Sequence, residues 1–325
     1  MAVDSDDPRA EAATKAAAHL QHKLTAVIEE AAFDRLLASA KSTEDAMRVV
    51  NCTLNGATLF NHVRPLERAL ELKDFDWRSA IRHKYGLPPA FAANTGVAFC
   101  VCEQIIGAGH NHTCNRVSGP ATTERHDAVV GCLEDVFRQE FGFKVQRLPS
   151  EVRARIRDGD KESYLIPDLV VTDERTSERW AIDVTGLYGE AKTHIPKGSI
   201  EGWPADRLRG HTMDEMRARD ARKDLHYEAL AVAGEAEVIP FTFESHGGLS
   251  ERAEHCITDM SGYAADQGYV TSDSALMLAG YIRRRIAMAI QSGNALLDKR
   301  ASSSQRNSYS ARASLGLIYG QGSAA

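Results

Sequence analysis

The sequence predicts an α/β fold, because helical spacing alternates with short β-branched runs over much of the chain behind a helical N-terminal region. The most informative stretch runs from Tyr164 to Thr185, where two β-like runs, Leu165 to Val171 and Trp180 to Thr185, flank the turn-forming residues Asp173 to Ser177. Each run carries one aspartate among apolar residues, and a hairpin would set Asp168 and Asp183 side by side. A second observation is the crowding of three cysteines and two histidines between residues 100 and 114. The third is a late helical segment, Ala275 to Leu297, with a strand-like run, Val238 to Phe243, before it.

Taken in order, residues 9 to about 50 are rich in Ala, Leu, Glu and Lys, with Leu20, Leu24, Val27, Ile28 and Ala31 at helical spacing. A further helix is expected from Val63 to Leu72, and another from Asp76 to Tyr85, stopped by Gly86 and by Pro88-Pro89. Pro88 to Gly96 reads as a linker. After the cysteine segment, Arg125-His126-Asp127 leads into a helix whose apolar positions Val129, Val130, Leu133, Val136 and Phe137 follow the 3.6 period and end at Gly142. Phe143 to Leu148 reads as a strand, Glu151 to Ser163 as a charged connection, and Arg207 to Glu228 as a mixed-charge helix. Val238 to Phe243 is expected to be a strand that ends at Gly247-Gly248. Beyond Arg300 the chain turns Ser-rich and loses its period, which predicts a disordered tail over 300–325. The domain boundaries expected are 1–95 for the helical region, 96–120 for the cysteine segment and 121–299 for the core.

At 325 residues and 43% hydrophobic, the chain has material for a sizeable core. An acidic start and no apolar run near the roughly 18 residues that span a bilayer predict an intracellular protein without a membrane segment. The six cysteines are not spread as a disulfide framework. A formal net charge of -6 gives no global attraction to nucleic acid, so phosphate binding would depend on local basic patches.

Two carboxylates converging among apolar neighbours suggest a hard divalent ion such as Mg²⁺, because an uncompensated buried charge costs several kcal/mol. The competing expectation is two solvent-facing aspartates on an ordinary hairpin. Cys100, Cys102, His110 and Cys114 supply the four ligands of a tetrahedral Zn²⁺, with His112 as the spare; buried free thiols and surface histidines are the alternative. Cys52, Cys132 and Cys256 are expected to be small core residues.

The order of these motifs resembles a family. Cys-x-Cys and His-x-x-x-Cys, then Arg125-His126-Asp127, Pro167-Asp168, Asp183 and Lys223-x-x-x-Tyr227, look like the restriction-like endonuclease end of non-LTR retrotransposon polyproteins. The likeness spans about residues 75 to 297 and includes Asp76-Trp-Arg, Gly86-Leu-Pro-Pro and Phe243-Glu-Ser-His-Gly247. It implies a PD-(D/E)XK nuclease core, a restriction-endonuclease-like mixed sheet flanked by helices. A zinc knuckle would precede that core, which would cut DNA with Mg²⁺ or Mn²⁺, with RNA as a second candidate partner and a nuclear address. Asp168 and Asp183 would hold the catalytic metal. The common pattern has a lysine two residues after the second acid, where Thr185 stands. The resemblance suggests a lysine moved to the following helix, matched by Lys223 with Tyr227 on the same face. Lys192 and Lys197 are the fallback. Glu134 is a candidate third acid and His126 a candidate phosphate ligand, each set against an exposed or packed role, and Trp180 is simplest as core. The alternative function is a zinc-containing nucleic-acid-binding module without activity.

Overall fold

The structure, a computed structural model, describes residues 8–62, 70–90, 92, 99–100, 102–107, 109–114, 116, 119–149, 154–158, 161–191, 193–197, 200, 202–233 and 237–320. Helix α1 (Pro8–Ala38), α2 (Thr43–Asn51) and the short α3 (Leu59–His62) open the chain, followed by α4 (Asp74–Lys84), the single turn α5 (His110–Thr113) and α6 (Gly119–Gln139). Then come β1 (Lys144–Arg147), β2 (Ala154–Asp158), β3 (Lys161–Leu165), β4 (Leu169–Thr172) and β5 (Arg179–Leu187), and α7 (Ala205–Ala233), β6 (Glu237–Glu244), α8 (Glu251–Asp266) and α9 (Ser272–Gly320) complete the order.

The expected α/β architecture is present as a mixed four-stranded sheet, order β1-β4-β5-β6, flanked by helices. β1, β4 and β5 pair antiparallel and β6 joins β5 in parallel, with α7 as the crossover. Side chains alternate across β5. Trp180, Ile182 and Val184 enter the main core with Val129, Leu133 and Phe137 of α6, Ile257 and Met260 of α8, and Ile282 and Ile286 of α9. Leu187, on the opposite face, packs against Met216 of α7. Along α7, Leu208, Thr212, Met216, Asp220 and Tyr227 are all buried, so a helix with charges on its outer side still presents one continuous inner stripe. Gly293 lets α9 approach α6 closely, since a Cβ there would lie 2.7 Å from the Arg125 Cα.

The hairpin that carries the two aspartates is held at its turn by Asp173. Its carboxylate accepts hydrogen bonds from Arg175 N, Tyr263 Oη and Tyr269 Oη at 2.6–2.8 Å. The first expected run is shorter than the sequence suggests: Leu165 ends β3, and Ile166-Pro167-Asp168 separates it from β4. Proline cannot donate to a ladder, which is the physical reason for the break.

Three further expectations are corrected. The charged connection 151–163 contains β2 and β3, paired antiparallel with Arg157 opposite Glu162 and Asp158 opposite Lys161. Alternating charges hide a strand from a hydrophobic pattern. Helix α8 has no counterpart in the sequence reading; Ser250 caps it, accepting from Ala253 N at 3.2 Å, and Ala253, Cys256, Ile257, Met260 and Ala264 form its buried stripe. Helix α9 continues to Gly320 where a disordered tail is expected, since Ala, Arg, Leu and Ser tolerate helix and no proline interrupts them. Residues 63–69 of the helix expected over 63–72 lie outside the described residues and 70–72 are not α-helical, while most of the 88–96 linker also lies outside them.

In the N-terminal region, Leu20, Leu24, Val27 and Ile28 of α1 are exposed, and Phe33 and Leu37 near its end pack against a cluster with Met47, Val50 and Leu208. Among the described residues no helix is long and apolar enough to cross a membrane.

Candidate functional site

Leu169 faces Ile182 in the β4–β5 register, and one further step sets Asp168 opposite Asp183, side by side as the hairpin predicts. They are only 8% and 5% exposed, which excludes two ordinary solvent-facing carboxylates. Asp168 Oδ2 accepts from Val184 N at 2.7 Å and from His126 Nε2 at 3.1 Å. His126 Nε2 also lies 3.2 Å from the Val184 carbonyl. Both partners are acceptors, so that nitrogen carries the proton. Burial works against the His126 imidazolium, but the hydrogen bond and charge of Asp168 outweigh it and raise its pKa.

Helix α7 supplies the cation. The Lys223 ammonium is ion-paired with Asp183 Oδ2, and Tyr227 Oη, one turn on, lies 3.4 Å from Asp183 Oδ1. Burial raises the Asp183 carboxyl above the usual range; the charge and hydrogen bond of Lys223 pull it down, and the charge of Asp168 pushes it back up. Burial likewise raises the Tyr227 hydroxyl. Lys223 and Tyr227, one turn apart on α7, thus both meet Asp183.

The remaining candidates fall elsewhere. Glu134 is ion-paired with Arg138 at 2.9 Å on its own helix. Asp127 contacts His126 Nδ1 at 3.3 Å and Arg147 at 3.2 Å. Trp180 packs edge-on against Tyr263 within the core, 8% exposed. Lys197 is exposed, and Lys192 lies outside the described residues. Cys132 and Cys256 are in the main core as expected.

The cysteine segment forms a second centre. A bridge between Phe99 and Ile105 closes a tight turn, with Glu103 N bonded to the Cys100 carbonyl at 2.8 Å. Gly109, at φ +70°, starts α5 beside Tyr188 where a Cβ would collide with the phenol. The ligand atoms of Cys100, Cys102, His110 and Cys114 all lie within 4.8 Å of one another, a cluster that could hold a metal and is consistent with zinc. Cys100 and Cys114 sulfurs are 3.7 Å apart and Cys102 Sγ is 3.5 Å from His110 Nε2. A tetrahedral zinc with bonds of about 2.3 Å to sulfur and about 2.1 Å to nitrogen sets edges of roughly 3.7 Å and 3.6 Å, so those two spacings already fit. Burial pushes the Cys114 thiol up to about 12; burial also acts upward on Cys102, but hydrogen bonds involving Gln104, Cys114 and Cys100 leave it lowered. The spare ligand, His112, is not in this cluster. Its ring stacks against both His83, at 4.4 Å, and Tyr188, at 5.0 Å.

A cleft of about 700 Å³ lies beside the cysteine cluster, lined among others by His110, Thr122, Arg125, Gly186, Glu190 and Arg219. Arg219 Nη1 donates to the Gly186 carbonyl at 3.3 Å, and a Cβ at Gly186 would lie 3.5 Å from Arg125 Nη2, so the two guanidinium groups flank one residue of β5. Arg125 is 5% exposed and bonds His112 Nδ1 and Asn294 Oδ1, both at 3.3 Å. Among the described residues neither arginine is ion-paired with a carboxylate, and the Nε of each lacks a hydrogen-bond partner. Desolvation lowers the pKa of both and outweighs the opposing charge of Glu244 on Arg125 and of Glu215 on Arg219. Sequence reading missed Arg219, His83, Tyr188 and Glu190; the run Glu244-Ser-His-Gly-Gly after β6 was the one local signal for the polar cluster they join.

A scan against models of known protein families finds no match to this chain, and a search of curated proteins finds none.

Proposed function

We propose that the chain is a metal-dependent DNA endonuclease with a restriction-endonuclease-like core and a zinc knuckle. The observation that carries this reading is the near-buried pair Asp168 and Asp183, set opposite one another in the hairpin with Lys223 of α7 reaching Asp183. The donor set suits a hard cation: two carboxylates on one face, one of them raised by burial and by its neighbour's charge, gain from a divalent ion that neutralises both. Asp168 and Asp183 would hold Mg²⁺ or Mn²⁺, which when bound polarises a phosphate and acidifies water. His126 and Val184 N fix Asp168 in position through Oδ2. Lys223 holds a positive charge beside Asp183 where a phosphate oxygen would develop negative charge, and Tyr227 orients the same carboxylate. Arg125 and Arg219, flanking Gly186 on the same strand, supply the positive charge that a flanking phosphate needs despite the acidic chain.

The test is nicking of supercoiled plasmid in Mg²⁺ or Mn²⁺. Asp168→Asn and Asp183→Asn are expected to abolish cutting, and Lys223→Ala to slow it by roughly 100-fold or more while DNA affinity is kept. Cutting unchanged in both aspartate variants refutes the reading. Thr185 at the usual lysine position and the engagement of Lys223 with Asp183 favour, as a second reading, a zinc-containing nucleic-acid-binding module without activity. Salt-sensitive DNA binding without scission in either metal selects that reading instead.

A further inference from the structure

Beside the cysteine cluster but sharing no ligand with it, three side chains of metal-ligating type from distant parts of the chain meet in the interior. His83 comes from the last turn of α4, Glu190 from the loop after β5, and His246 from the turn after β6. They are 5%, 6% and 3% exposed, and each offers a ligand atom within 4.8 Å of the other two. We propose that His83, Glu190 and His246 are the protein ligands of a second metal site, suited to a borderline divalent cation of the zinc class.

The state of His83 carries the argument. Both of its ring nitrogens are buried and neither has a hydrogen-bond partner. A buried imidazole with two unsatisfied nitrogens is costly, and a metal bond to one of them removes part of that cost. Its ring is held only by stacking, 4.3 Å from His246 and 4.4 Å from His112. The other two ligands are oriented from behind, as metal ligands commonly are. His246 Nδ1 lies 3.6 Å from Cys52 Sγ, leaving Nε2 directed at Glu190 Oε1, 2.5 Å away. Tyr188 Oη donates to the other oxygen of Glu190 at 2.9 Å.

In the present arrangement a proton bridges His246 and Glu190; a bound ion takes the place of that proton. His246 Nε2 and Glu190 Oε1 stand closer than the roughly 3.3 Å edge of a tetrahedral nitrogen and oxygen site, so an ion between them moves them apart by somewhat under about 1 Å. His83 is the one ligand of the three with no hydrogen bonds to break as it adjusts to the ion. Two imidazoles and one carboxylate leave a divalent ion with one residual positive charge, and the Glu244 carboxylate, which accepts from His246 N at 2.6 Å, is the buried group nearest in sequence to offset it. Three protein ligands leave a fourth position open. Glu190 and Tyr188 line the cleft beside the cysteine cluster, so water or a ligand atom in that cleft completes the set.

The full-length protein, purified from cells grown with added zinc and again with added cobalt, is assayed for metal content and for its absorption spectrum. The expected result is two ions per chain, falling to one in Glu190→Gln and in His83→Gln, with the thiolate-to-cobalt charge-transfer band of the cysteine cluster unchanged. Cys114→Ser is expected to remove that band while cobalt bound by nitrogen and oxygen remains. His255→Gln, at an exposed histidine, serves as the control and keeps both ions. A wild-type chain that holds a single ion, lost with Cys114→Ser, overturns the proposal, as does a second ion retained by both Glu190→Gln and His83→Gln. If His83→Gln fails to fold by circular dichroism, the wild-type count and Glu190→Gln decide.

Discussion

Replacing Asp183 by Asn is expected to make the protein more stable at neutral pH. Cross-strand neighbours stand about 5 Å apart, a separation at which two unit charges repel by about 3 kcal/mol at an effective dielectric of 20. Lys223, in contact with Asp183, returns an attraction of similar size. What remains is the cost of keeping a carboxylate that is 5% exposed away from water, which is why its carboxyl lies above the ordinary value of 3.8. The amide keeps the shape and the contact with Tyr227 but carries no charge, so the expected gain is about 1 kcal/mol, or about 2 °C in Tm. The sign follows from proton linkage. A carboxyl that holds its proton more tightly in the folded than in the unfolded chain costs nothing below the unfolded value. Its cost then grows as pH rises from the unfolded value through the folded one. The gain from Asp183→Asn is therefore full at pH 7.5 and shrinks as pH falls toward 4. Urea unfolding followed by circular dichroism across that range measures it. A variant less stable than wild type at pH 7.5, or a gain that does not change with pH, refutes the account of Asp183 as a buried, strained charge.

Cys114→Ser, which removes one of four clustered ligands, is expected to lower bound zinc by one ion and to cost several kcal/mol, read by metal analysis and thermal melting; a chelator should reproduce the loss in wild type. Arg219→Ala is expected to weaken DNA binding at all sequences alike and to reduce the slope of log affinity against log salt by about 1, measured by fluorescence anisotropy. An unchanged slope removes Arg219 from the phosphate path.

Much of the candidate site is legible along the chain because its signals are local. The β4–β5 hairpin is written in two β-branched runs and a polar turn, and pairing them fixes Asp168 against Asp183 by register alone. Four of the crowded ligands between 100 and 114 come together because so short a segment can close on itself. The misses have physical causes too. Charged strands such as β2 and β3 carry no apolar alternation, and Ile166-Pro167 divides what reads as one strand. His112 is one position from Thr113 and two from Cys114, yet it points to a different cluster, because a single helical turn directs neighbours to different sides.

The sequence by itself determined the α/β class, the aspartate pair, the four-ligand cluster and the helix on which Lys223 and Tyr227 share a face, since each depends on residues within a few turns or one hairpin. Only the tertiary structure decided that Lys223 reaches Asp183 and that Glu134 pairs with Arg138. It also decided that Arg125 and Arg219 converge on Gly186, and that His83, Glu190 and His246 meet although their separation in the chain leaves no spacing to read. Those contacts are made by packing helices on a sheet, and packing joins residues whose distance in sequence carries no information about their distance in space.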